Sequence, residues 1–236
     1  MTTDRTGQPR PLPSSRSLTM RDWIVPIALV VLSLVPVIAG SVRLGELAGG
    51  AEVTASNARF FANPLPVVVH IVSSSVFCVV GAFQFSKGLR RRYRRWHRSV
   101  GRALVPLGLA AGASGLWLTL AYPFVEPDAW TLYGMRLVVG SAMVASIGLA
   151  VLALLRRDYP SHGAWMIRGY AIGLGAGTQV LTFLVWFLIG GPDTEFGRAV
   201  VMGSGWAFNM IAAEWVIRRN PRALGARGRA SAGALV

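Results

Sequence analysis

The chain is short of almost everything a soluble protein of 236 residues uses to meet water. Charged residues make up 14% of it, against about 25% in a typical soluble domain. Acids are scarcest, with 10 Asp and Glu against 24 Lys and Arg. Lysine occurs once, as Lys87, so nearly all the positive charge is arginine. Cysteine also occurs once, as Cys78, which excludes an intrachain disulfide and any cysteine-based zinc or iron–sulfur site. Only three histidines occur, and none forms a His-Glu-x-x-His motif. Gly-x-Ser-x-Gly and P-loop patterns are missing. Gly173-Leu174-Gly175-Ala176-Gly177-Thr178 does not match a dinucleotide fingerprint and lies in an apolar run.

What is present is apolar. The chain is 53% hydrophobic with a mean hydropathy of +0.49. A net charge of +14 on so apolar a chain excludes a soluble basic protein and a disordered one. Six stretches reach the roughly 20 apolar residues that one bilayer crossing needs. They are Trp23–Val42, Pro64–Phe85, Ala103–Tyr122, Leu132–Leu155, Met166–Ile189 and Ala199–Ile217. The predicted fold is all-α, a polytopic transmembrane helix bundle over residues 23–217. Basic tails flank it at 1–22 and 218–236, the latter expected to be disordered. The longest connection, Arg43–Asn63, has room for a short surface helix. Val37-Ile38-Ala39 has the form of a signal-peptidase site, but the apolar run is longer than a usual signal core, so a retained first helix is expected.

Charge sets the orientation. Twenty of the 24 basic residues fall in the N-terminal tail, the second-to-third and fourth-to-fifth connections, and the C-terminal tail. The other side holds Arg43, Arg59, Arg136 and Arg198 with six acids, among them Glu126 and Asp128. This asymmetry predicts both termini on the cytoplasmic side of a bacterial plasma membrane. The basic loop Lys87–Arg102 then reads as a topology determinant facing anionic lipid head groups rather than nucleic acid.

Polar residues inside apolar spans are costly and mark functional candidates. Here they are His70, Gln84, Arg136, Gln179, Asn209 and Glu214. Each also has a structural use. Gln179 and Asn209 suit hydrogen bonds between helices. Arg136 can reach out toward Glu126 or Asp128. Glu214 can pair with Arg218 one turn on, or with an arginine of another basic loop. His70 can bond Ser74 or another helix, or line a polar cavity.

The other two histidines stand before spans on the basic side. His97 is followed by Arg98 and Arg102, and His162 by Arg168. If their helices start early, His97 shares a face with Gly101, Gly108 and Gly112, and His162 with Gly169, Gly173 and Gly177. Such stripes suit close helix packing, within the chain or in a homo-oligomer, and would also leave room for a flat ring.

Together these features resemble a known family. They are His70, Gly81-x-x-Gln84-Phe85, His97-Arg98-x-x-Gly101-Arg102, His162-x-x-Trp165-Met166-x-Arg168, Asn209 and Glu214, in that order. The ordered set resembles the bacterial membrane-protein family called domain of unknown function 2306, from about Pro64 to Glu214. The resemblance implies a polytopic membrane fold and supplies no catalytic residues.

Three functions fit the residues. The first is a redox protein holding haem b between His97 and His162, with Arg98, Arg102 and Arg168 on the propionates. It is similar to the four-helix transmembrane b-type cytochromes but departs from them in lacking a second histidine pair and in setting both histidines in loops. The second is a transporter or small-molecule-binding protein whose cavity is lined by His70, Arg136, Gln179 and Asn209. The third is a non-enzymatic scaffold. A metal site using all three histidines is excluded by the bilayer's thickness between His70 and the other two.

Overall fold

A computed structural model describes residues 18–122 and 130–219. Among them there are nine α-helices and no strand. Glu126, Asp128 and most of the two expected tails lie outside the described residues.

Helix α1 (Arg21–Gly49) begins where Asp22 accepts hydrogen bonds from the N–H and hydroxyl of Thr19, both at 3.0 Å. It ends at Gly50, whose φ of 67° lies in the left-handed region that favours a residue without a Cβ. The short α2 (Ala58–Ala62) lies in the connection that had room for a surface helix. Helix α3 (Pro64–Ala82) starts on a proline, which loses no hydrogen bond at a first turn, and tightens into a 3₁₀ turn at Phe83–Phe85. The basic helix α4 (Lys87–Arg92) is capped by Ser86, whose hydroxyl accepts from Leu89 N–H at 3.2 Å.

Helices α5 (Arg94–Ala121) and α6 (Trp130–Leu155) follow. Arg157 in the left-handed conformation (φ 60°) ends α6, and the Asp158 N–H donates back to the Ala153 carbonyl. Asp158 then caps α7 (Tyr159–Gly173), which has a proline in its first turn. Helix α8 (Gly175–Leu188) continues α7 after one residue, bent by 46°. Helix α9 (Glu195–Arg218) starts on Thr194, which accepts from Gly197 N–H.

Among the described residues, five helices are long and apolar enough to cross a membrane, and the bent α7–α8 pair would make a sixth if it is one span. These helices coincide with the expected apolar stretches, with two differences. The fifth span is broken at Leu174. The third and fifth helices also begin early, at Arg94 and Tyr159, because Asp158 and Pro160 start α7 and α5 carries its basic residues in its first turns. This corrects the loop setting expected for His97 and His162, which both stand in first turns of helices.

Side-chain burial is that of a protein solvated by lipid. Val138 is 70% exposed and Phe187 78%, and hydrocarbon, unlike water, accepts such surface without cost. Many interior positions are small: Ser73, Ala82, Ala111, Ser114 and Ala150 are buried. Small residues let backbones approach, which is how helices associate without a hydrophobic drive. Helix α3 packs chiefly on α5, α6 on both α5 and α7, and α9 on α8, while α1 leans on α3 and α8. At the centre, Phe77 and Ile147 are 1% and 0% exposed.

Candidate functional site

A cavity lies at the end opposite the basic loops. It has a volume of about 360 Å³ and takes lining residues from α2, α3, α5, α6, α7, α8 and α9. His70 of α3, Arg136 of α6 and Gln179 of α8 all line it, so three of the six polar span residues meet there.

The His70 ring is oriented by α5. Its Nδ1 lies 3.1 Å from the Ala111 carbonyl and 3.2 Å from Ser114 Oγ. A carbonyl only accepts, so Nδ1 carries the hydrogen, and Nε2 is left to accept one. The ring could not have been assigned to Ala111 and Ser114 from sequence, since they lie on another helix. Gln179 donates to the Met202 carbonyl of α9 at 3.1 Å. Helix α2 brings Arg59 and Phe60 to the cavity. Both Arg43 and Arg59 stand 4.8 Å from the Phe60 ring centre, and Tyr122 meets that ring edge-on. The Tyr122 hydroxyl donates to the Asn63 carbonyl at 2.6 Å, fixing α2 beside the end of α5.

The break at Leu174 borders the same space, through Gly173 on one side and Ala176 on the other. Carbonyls released by the break are taken up by other helices. Asn209 donates to Ala171 O at 3.0 Å, and the Cys78 thiol lies 3.5 Å from Gly173 O. Asn209 also accepts from Thr178 at 2.7 Å, so it braces the break and does not line the cavity. Neither Arg59 nor Trp206 was singled out by sequence, though both line the cavity. The available signal was the clustered Gly173-Leu174-Gly175, which reads equally well as a packing stripe.

The basic end is different. His162 Nδ1 donates to the Ala150 carbonyl at 2.9 Å. His97 Nδ1 and Gln84 Nε2 are buried with no hydrogen-bond partner. Arg90, Arg98 and His162 all stand near His97. Arg168 is committed elsewhere: its Nε and Nη2 donate to both Glu214 oxygens at 2.6 and 3.1 Å. Arg218 stands 4.0 Å from the same carboxylate, so Glu214 uses both of the partners open to it.

The glycine stripes below the two histidines are filled at several positions. A Cβ on Gly108 would lie 2.6 Å from Phe77 and 2.8 Å from Ile147, and one on Gly169 would lie 2.9 Å from Ile147. Gly112 meets Val144, and Gly177 meets the Leu32 backbone of α1. At Gly108 and Gly169 the room that a glycine leaves is taken by Phe77 and Ile147 of the same chain. Among the described residues, no group of three or more His, Cys, Asp or Glu could hold a metal ion.

Residues 67–217 match the family model described as a predicted membrane protein, domain of unknown function 2306. The chain belongs to this family. No curated protein and no solved structure matches it. For this member of the 2306 family, the match covers helices α3 to α9, hence the cavity's histidine, Arg136 and the broken span, while α1 and α2 precede it.

Proposed function

We propose that the protein binds a small molecule in the cavity opposite its basic end, as a transporter or a membrane-embedded binding protein. One observation carries this reading: His70, Arg136 and Gln179, from three helices, converge on one space of about 360 Å³. That volume is at the lower end of the roughly 300–1,000 Å³ usual for ligand sites. Intramembrane polar residues are kept where they serve a ligand or its path. The break at Leu174 adds support, because interrupted spans commonly flank transporter sites near mid-membrane.

The test is thermal unfolding of the protein in phosphatidylcholine nanodiscs, with hexanoate, hexanol and hexylammonium as probes. A ligand that binds only the folded state raises the midpoint. At least one probe is expected to do so, and Val139→Phe or Thr119→Phe, each filling the cavity, to remove the effect. A midpoint unmoved by all three probes, or moved equally in both filled variants, rejects the reading.

A haem held by His97 and His162 on the cytoplasmic side is the second reading. In its favour, a histidine ligand commonly donates its other ring N–H to a carbonyl, as His162 does to Ala150. Against it stand the filled glycine seam and the commitment of Arg168 to Glu214. A reduced-minus-oxidised spectrum of protein expressed with ample haem decides it. A Soret band lost in His97→Ala and in His162→Ala, and kept in His70→Ala, would favour the haem.

A further inference from the structure

Resting on the binding reading above, we infer that the cavity's ligand donates a hydrogen bond, from a hydroxyl or amide N–H group carried on a short apolar body. Two side-chain orientations and the character of the wall lead to this class.

The first orientation is that of His70. Its Nδ1 faces two atoms of α5, the Ala111 carbonyl at 3.1 Å and Ser114 Oγ at 3.2 Å. The carbonyl can only accept. Ser114 spends its one hydroxyl hydrogen on carbonyls of its own helix, Ala110 O at 2.6 Å and Ala111 O at 3.1 Å. Toward the ring, Ser114 therefore also accepts. Two acceptors at one nitrogen place the hydrogen on Nδ1 and fix the tautomer. Nε2 is then an acceptor, no described residue donates to it, and His70 lines the cavity.

The second orientation is that of Gln179. Its Nε2 donates to the Met202 carbonyl of α9 at 3.1 Å, which settles which way the amide points. The atom left over is Oε1, again an acceptor. Gln179 is only 7% exposed, and it too lines the cavity. Helices α5 and α9 thus use the donor half of each side chain and leave the acceptor half. A buried acceptor without a partner is costly, and a donating ligand removes that cost. Arg59 and Arg136, which also line the cavity, have contacts of their own within the protein.

Much of the remaining wall is apolar, with Phe60, Met143, Ile172, Met202 and Trp206. A small polar solute would leave that surface unused, whereas an amphiphile with a donating end covers both parts.

The experiment is a titration by calorimetry in phosphatidylcholine nanodiscs, with protein-free nanodiscs as the blank. The probes are hexanol and its isomer methyl pentyl ether, which has the same atoms but can only accept. Hexanol should bind about tenfold tighter, the effect of one hydrogen bond to an otherwise unpaired acceptor. This hexanol-to-ether ratio should fall in His70→Leu and in Gln179→Met, and reach one when the two are combined. If the combined variant does not fold, the single variants decide on the same ratio. Equal binding of the isomers, or tighter binding of the ether, overturns the donor and leaves the cavity reading standing. A ratio untouched by the substitutions, or binding of hexanoate with neither isomer, does the same. Silence of every probe removes the cavity reading itself. Hexanamide run beside hexanol separates the two donors: tighter hexanamide identifies an N–H group, tighter hexanol a hydroxyl.

Discussion

On the basic side of the cavity, further along the helices that carry His97 and His162, Gly108 closes against Phe77 and Ile147, and Gly169 against Ile147. At the other end, Gly115 lies beside His70, and the space around them stays open. Both ends use glycine, histidine and arginine. What differs is whether a large neighbour occupies the volume that a glycine releases. At Gly108 Phe77 and Ile147 take it, whereas at Gly115 only the His70 ring comes within 4 Å. A glycine stripe beside a histidine thus describes two different structures, and only the side chains facing it tell them apart.

The strongest way to break this comparison is to enlarge one glycine at each end. Gly108→Ala puts a methyl group against two side chains with no room to retreat, and should cost about 1–3 kcal/mol. Gly115→Ala places its Cβ 3.3 Å from the His70 ring, which borders empty space, and should cost less than about 1 kcal/mol. Denaturant unfolding in detergent micelles measures both. Equal losses would mean that the cavity wall is as tightly packed as the seam.

A smaller effect is expected from the ion pair that ties α7 to α9. Arg168 and Glu214 share two hydrogen bonds and are only partly exposed, so a double-mutant cycle with Arg168→Met and Glu214→Gln should give about 1–3 kcal/mol of coupling. A coupling near zero would free Arg168 for a ligand and reopen the basic end as a site.

The smallest effect belongs to the start of α7. Asp158 accepts from Ser161, and those hydrogen bonds hold its carboxyl below the ordinary value. A lowered folded value means that the carboxylate stabilises the fold above about pH 4, the unfolded range, and that this is lost as the pH falls through the folded value. Asp158→Ala should therefore lower the thermal midpoint slightly at pH 7 and not at all in strong acid. A gap that persists in acid would mean that the cap does not act through its charge.

Much of this was readable beforehand. The spans follow from length and apolarity, since a bilayer crossing demands both. The early start of α7 is legible in Asp158-Tyr159-Pro160, a cap followed by a proline, although the apolar run itself begins only at Met166. The polar span residues were identified, yet their roles were not. Asn209 and Gln179 look alike in sequence, and one braces the helix break while the other lines the cavity. The Arg168–Glu214 pair was one of two alternatives for Glu214, because a charge near a membrane boundary can reach several helices.

The sequence by itself determined the apolar helices, the basic face and the short set of polar residues inside the spans. These depend on properties that add along a chain: apolar length, charge sign and helical period. Only the tertiary structure decided that His70 rather than His97 stands at an open cavity, and that α8 starts anew beside it. Those outcomes depend on which distant side chain fills a given volume, a relation between helices that no local pattern encodes.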